Sequence, residues 1–119
     1  MTKLEIAEAF SGGKFEKCFD YLTDRTVWNT LGEQYLAGRK EIESFCKNIS
    51  AYFDSVSTNF KQLNLIENER CVAINGTAEF IREGKRVSFV SSCDVYVFDS
   101  NNKIISINSY CITERPENK

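Results

Sequence analysis

An α+β fold is predicted by two patterns and by the place where one gives way to the other. Up to residue 54 most apolar residues recur at helical spacing, whereas from residue 56 four long runs, rich in β-branched and aromatic residues, are divided by polar turn sequences. Helices first and a meander afterwards describe one sheet with helices laid on one of its faces. At 119 residues the chain has room for one core and none for a second. Residues 1–119 are therefore read as a single domain.

Leu4, Ile6, Ala7, Ala9 and Phe10 mark a short amphipathic helix that the sequence SGG at 11–13 breaks. Phe15, Cys18, Phe19 and Leu22 then repeat at helical spacing and predict a second short helix. RTVWNT, residues 25–30, reads as a brief strand, and LGEQYLAGR with glycines at 32 and 38 as a loop or short hairpin. Ile42, Phe45, Cys46, Ile49 and Phe53 predict a third helix from Arg39 to about Asp54. The four strand runs follow, separated by ENER, REGKR and DSNNK, which suit tight turns. The single proline, Pro116, lies in a polar tail expected to fray.

Composition removes several classes of function. Fifteen basic and seventeen acidic residues form no block of one sign, so no nucleic acid partner is expected. No apolar run approaches the length of a membrane span, and the amino terminus lacks a signal sequence, so a cytoplasmic protein with no membrane contact is expected. Five scattered cysteines without C-x-x-C spacing read as reduced, mostly buried residues. Histidine is absent, which removes the usual neutral-pH base, the usual metal ligand and every Ser-His or Cys-His pair. Neither a metal nor another cofactor is expected.

Three segments, FSGGKFEKCFDYLTDRTVW, GRKEIESF and DVYVFDSNNKIISI, occur in an order that resembles the NTF2-like superfamily, in particular its SnoaL-like and ketosteroid-isomerase-like members. The resemblance covers nearly the whole chain. It implies a cystatin-like cone in which three N-terminal helices pack on a curved antiparallel sheet, with a pocket on the concave face and a homodimer through the convex one. Superfamily members include isomerases, dehydratases, hydrolases, cyclases and binding proteins, so fold alone assigns no activity.

Asp94 is the residue that asks for an explanation, because it interrupts an otherwise strand-like VSFVSSCDVYVFDS. Side chains alternate along a strand, so Ser88, Val90, Ser92, Asp94, Tyr96 and Phe98 share one face, and Val87, Phe89, Ser91, Cys93, Val95 and Val97 the other. The mixed polar and aromatic even face suits a pocket, and the more uniformly apolar odd face, with Tyr110, suits a dimer. By resemblance to the ketosteroid isomerases, Asp94 falls where a protonated acid donates to an oxyanion. The same resemblance puts Asn29 at the position of the proton-abstracting acid, and Glu5 near that of the tyrosine partnering the protonated acid. An amide cannot serve as that base, and the nearest substitutes, Glu33 and Glu5, read as ordinary solvated acids.

With Asp94 inward, the expected lining is Ser92, Tyr96 and Phe98 from its own strand, Ala78 and Phe80 from the strand before, and Ser109 and Cys111 from the last. Trp28 or Asn29, with Phe45 and Ile49 of the third helix, would close the cavity. Such a lining suits a small apolar or mixed-polarity molecule, and the same aromatics would equally serve as filled core. Two functions stand at this point. One is a SnoaL-like binding module for a small hydrophobic ligand without the standard isomerase activity; the other is an isomerase or lyase using Asp94 as acid or oxyanion donor.

Overall fold

A computed structural model describes residues 1–114. Helix α1 (Lys3–Ser11) starts at a capping box, in which the Thr2 hydroxyl accepts from the Glu5 amide and the Glu5 carboxylate accepts from the Thr2 amide. Ile6, Ala7 and Phe10 form its buried stripe. The second helical segment, Phe15–Tyr21, is a 3-10 helix, in which Phe15 and Cys18, three residues apart, face the core together. Helix α2 (Arg39–Asp54) matches the span read from its apolar spacing and buries Ile42 and Cys46.

Among the described residues six strands make one sheet in the order β2-β1-β6-β5-β4-β3. They are β1 (Val27–Thr30), β2 (Gln34–Ala37), β3 (Ser57–Glu67), β4 (Cys71–Arg82), β5 (Lys85–Phe98) and β6 (Ile104–Glu114). LGEQYLAGR supplies β2, which closes a short hairpin with β1. The last four strands are an antiparallel meander, whereas β1 runs parallel to β6, so the sheet is mixed. The turns obey local chemistry: Glu83 and Gly84 both take positive φ between β4 and β5, as a two-residue hairpin requires. Asn68 closes the β3–β4 turn by accepting from the amides of Arg70 and Cys71.

Both helices pack on one face of this sheet. Ile6, Phe10 and Cys18 meet Val72, Ile74, Tyr96, Phe98 and Ile107 in a single buried cluster, and each large side chain fully buried there stabilises by about 1.5–3 kcal/mol. Pairing shifts register at Gln62/Asn64, Phe80/Ile81 and Val97/Phe98, and such bulges bend strands and sharpen their twist. The concave side so produced carries the helices. The expected tail around Pro116 lies outside the described residues. Among the described residues no helix is long and apolar enough to cross a membrane.

Gly76 pairs with Gln62 beside the β3 irregularity, and a Cβ there would stand 2.4 Å from the carbonyl oxygen of Lys61. That oxygen belongs to the backbone and cannot swing away. Gly76→Ala is expected to lower stability by about 1–3 kcal/mol, seen as a lower urea midpoint; an unchanged midpoint would contradict the close approach.

Candidate functional site

The site begins with the alternation of β5. Val90, Ser92 and Asp94 look toward the helices from the open end of the sheet, while Tyr96 and Phe98, further along the same face, pass beneath α1 and are fully buried. Ser11, the last residue of α1, meets the strand between these two environments. Its Oγ lies 2.8 Å from Asp94 Oδ2 and 2.6 Å from the Tyr96 hydroxyl. With the one Ser11 proton given to Asp94, the Tyr96 hydroxyl is the donor to Ser11 Oγ.

Beside Asp94 opens a cavity of about 170 Å³. Phe10 and Phe15 form its N-terminal wall, Trp28 and Thr30 of β1 one side, and Ile49 and Phe53 of α2 its roof. Phe60, Ala78, Phe80, Val90, Ser92, Ser109 and Cys111 complete it from the sheet. Trp28 Nε1 donates to Ser109 Oγ at 2.9 Å, which fixes the indole ring. A smaller cleft of about 100 Å³ adjoins, lined also by Glu8 and Lys61, and shares Ser11, Phe60, Ala78, Ser92 and Asp94 with the cavity. Asp94 thus borders both hollows.

Burial raises the proton affinity of Asp94 above the usual carboxylate range, opposed by the hydroxyls of Ser109 and Ser11. Burial, then the Asp94 charge, holds the Tyr96 hydroxyl well above its ordinary value. The Cys111 thiol is pushed up to about 11, first by burial and then by Asp94, so it lines the wall as a neutral, weakly reactive group. All five cysteines are free. No group of three or more Cys, Asp or Glu side chains suited to a metal ion occurs among the described residues.

Of the residues named from sequence, Asp94, Trp28, Ile49, Ala78, Phe80, Ser92, Ser109 and Cys111 come together around the cavity. Four do not. Phe45 stands behind Trp28, with ring centroids 5.5 Å apart. Tyr96 and Phe98 have the inward parity but lie under α1, where they stack on one another in the core. Asn29 has the parity opposite to Trp28, pairs with Tyr35 and Asn108, and sits on the far face of the sheet. Glu5 is held in the capping box at the start of α1, and Glu33 is exposed in the β1–β2 turn.

Sequence reasoning missed Ser11, Phe10, Phe15, Thr30, Phe53 and Phe60 as wall residues. Thr30 follows from the parity of Trp28, and Phe60 would follow from Ala78 once their pairing is known. Ser11 had no such signal, because within SGG it reads only as the end of a helix.

Because the proton affinity of Asp94 rises on folding, the native state binds the extra proton between the unfolded and the folded pKa. Its destabilising contribution is absent below the unfolded value and complete above the folded one. Asp94→Asn removes that loss. The thermal midpoint of the variant is therefore expected to gain on the wild type as pH rises from about 4 toward 7; a gap independent of pH would show that the carboxyl is not desolvated.

No protein-family model matches the sequence, and no curated protein does. Solved structures do. An NTF2-like protein of unknown function from Cytophaga hutchinsonii ATCC 33406 is 34% identical, with a TM-score of 0.81 over 91% of this chain and 94% of that one. A protein assigned to the SnoaL-like polyketide cyclases, from Shewanella denitrificans OS-217, is 11% identical, with a TM-score of 0.72 over 92% of this chain and 90% of that one. An LEH-like epoxide hydrolase of M. tuberculosis is 19% identical, with a TM-score of 0.69 over 92% and 82%. The last two likenesses are of fold alone. The first, at its identity and coverage and with the cone, helices and strand order described above, shows that this chain belongs to the NTF2-like proteins.

Proposed function

We propose that the cavity binds a small, largely apolar molecule and that Asp94 addresses its polar group. One observation carries this reading: a single carboxyl, fixed by Ser11, stands at the edge of a hollow whose other walls are mainly aromatic and aliphatic. Pockets of this make-up orient a ligand by a few polar groups and hold it by its apolar surface. About 150 Å³ accommodates benzene, so a hollow of about 170 Å³ admits one ring with a short substituent. A fused four-ring ligand exceeds it.

A catalytic role for Asp94 as acid or oxyanion donor draws on its raised proton affinity. The lining argues for binding without isomerase turnover. Asp94 is its one carboxyl among the described residues, Cys111 keeps its proton, and Asn29 faces the other way. An Asp-Arg-Asp set for epoxide opening has no arginine among these wall residues. Isomerisation of a single-ring β,γ-unsaturated ketone that disappears in Asp94→Asn would reverse this choice.

The outer face of the sheet supports a second copy of this chain as partner. Tyr35, Ile66, Tyr110 and Ile112 are exposed there, around a shallow groove lined by Leu31, Asn75, Ser91, Cys93, Tyr110 and Ile112. The described lining of that groove carries no charge, which favours two copies meeting there. The five free cysteines support a reducing, cytoplasmic setting.

Two measurements test these readings. The Trp28 indole N–H is the one such signal in an NMR spectrum, and millimolar cyclohexanol is expected to shift it in the wild type but not in Ala78→Phe, which fills the cavity. A resonance that stays in place in the wild type would sink the ligand reading. For assembly, light scattering at micromolar concentration is expected to give twice the chain mass, falling to one chain mass in Ile112→Lys; a monomeric wild type would refute the dimer.

A further inference from the structure

Asp94 takes part in none of the ion pairs among the described residues, which join Arg39 to Asp20 and Glu43, and Arg86 to Glu79. No lysine or arginine among the described residues contributes to the wall of the cavity. Lys61 lines the adjoining cleft, where Glu8 carries the opposite sign. Among the described residues the carboxyl is thus desolvated without a counter-charge, an arrangement that costs free energy until a cation arrives.

The hydroxyls around Asp94 decide which ligand atoms it can take. Ser11 donates to Oδ2, with Tyr96 as the donor behind it, and the Ser109 hydroxyl likewise favours the ionised form. An ionised carboxyl has only acceptor capacity left. It will take an N–H or O–H from a ligand and reject a carbonyl or an anion.

The aromatic rings point to the same charge. Phe60 borders both hollows that Asp94 borders, and Phe10, Phe15, Trp28, Phe53 and Phe80 line the larger one. Ring faces carry the negative end of the aromatic quadrupole and attract ammonium groups, more strongly where water is excluded. Carboxylate and rings together lower the energy of a cation and raise that of an anion.

Building on the ligand-binding reading above, we infer that the cavity selects a small organic cation: a primary or secondary ammonium on one ring or an alkyl group of similar size. The nitrogen donates to Asp94 beside Phe60, and the apolar part lies among Trp28, Phe53 and Phe80.

Benzylammonium, benzyl alcohol and benzoate share one ring and differ in charge, so titrating each into the full chain by calorimetry, with Trp28 fluorescence in parallel, isolates the charge. Benzylammonium is expected to bind at least about tenfold more tightly than benzyl alcohol, and benzoate not at all. Asp94→Asn is expected to abolish the preference, bringing benzylammonium down to the affinity of benzyl alcohol in the same variant. Should that variant not fold, Phe60→Leu, at a half-exposed position, is expected to narrow the preference by about threefold. Benzyl alcohol or benzoate binding as tightly as the amine, or a preference that survives the variants, would overturn the inference and leave a neutral-ligand pocket standing. Absence of binding by all three would overturn both the inference and the pocket.

Discussion

The Ser11 hydroxyl, placed between Asp94 and Tyr96, is the contact on which the site depends. It ties the last residue of α1 to the middle of β5 across 83 residues of chain, gives the buried Tyr96 hydroxyl its partner and shares Asp94 with the Ser109 hydroxyl. On one side of it the even-numbered face of β5 is closed core; on the other it is cavity wall. A helix ending a turn earlier would leave the Tyr96 hydroxyl without its Ser11 partner. The two glycines that follow stop the helix at that point, and Gly13, at positive φ and packed against the Phe53 ring, leads the chain into the 3-10 helix.

The same geometry sets the chemistry. Asp94 is desolvated enough for its proton affinity to rise, yet it is surrounded by hydroxyl donors that favour its charge. Opposed tendencies of this kind keep a group responsive to what enters beside it. Tyr96 and Cys111, both pushed toward their protonated forms, keep the surroundings neutral. The charge of any bound molecule is then set against a single carboxyl, and the aromatic rings determine how much room remains.

The sequence alone determined the parts that depend on local periodicity. Helical spacing located α1 and α2, alternation placed Asp94, Ser92, Ala78, Phe80, Ser109 and Cys111 on one face, and turn residues located the hairpins. These features are read over a few neighbouring residues, and neighbours in sequence are neighbours in space within a helix or strand.

Tertiary structure decided the rest. Tyr96 and Phe98 share the parity of Asp94 but are core, because α1 lies over that end of β5 and parity says nothing of what covers a face. Trp28 rather than Asn29 lines the cavity because β1 docks parallel to β6 in one register, Trp28 opposite Ile107 and Asn29 opposite Asn108. That pairing joins residues some eighty positions apart, and no local pattern encodes it. Ser11 became part of the site for the same reason: its role is fixed by where a helix end comes to rest against a strand far along the chain, a distance that only packing sets.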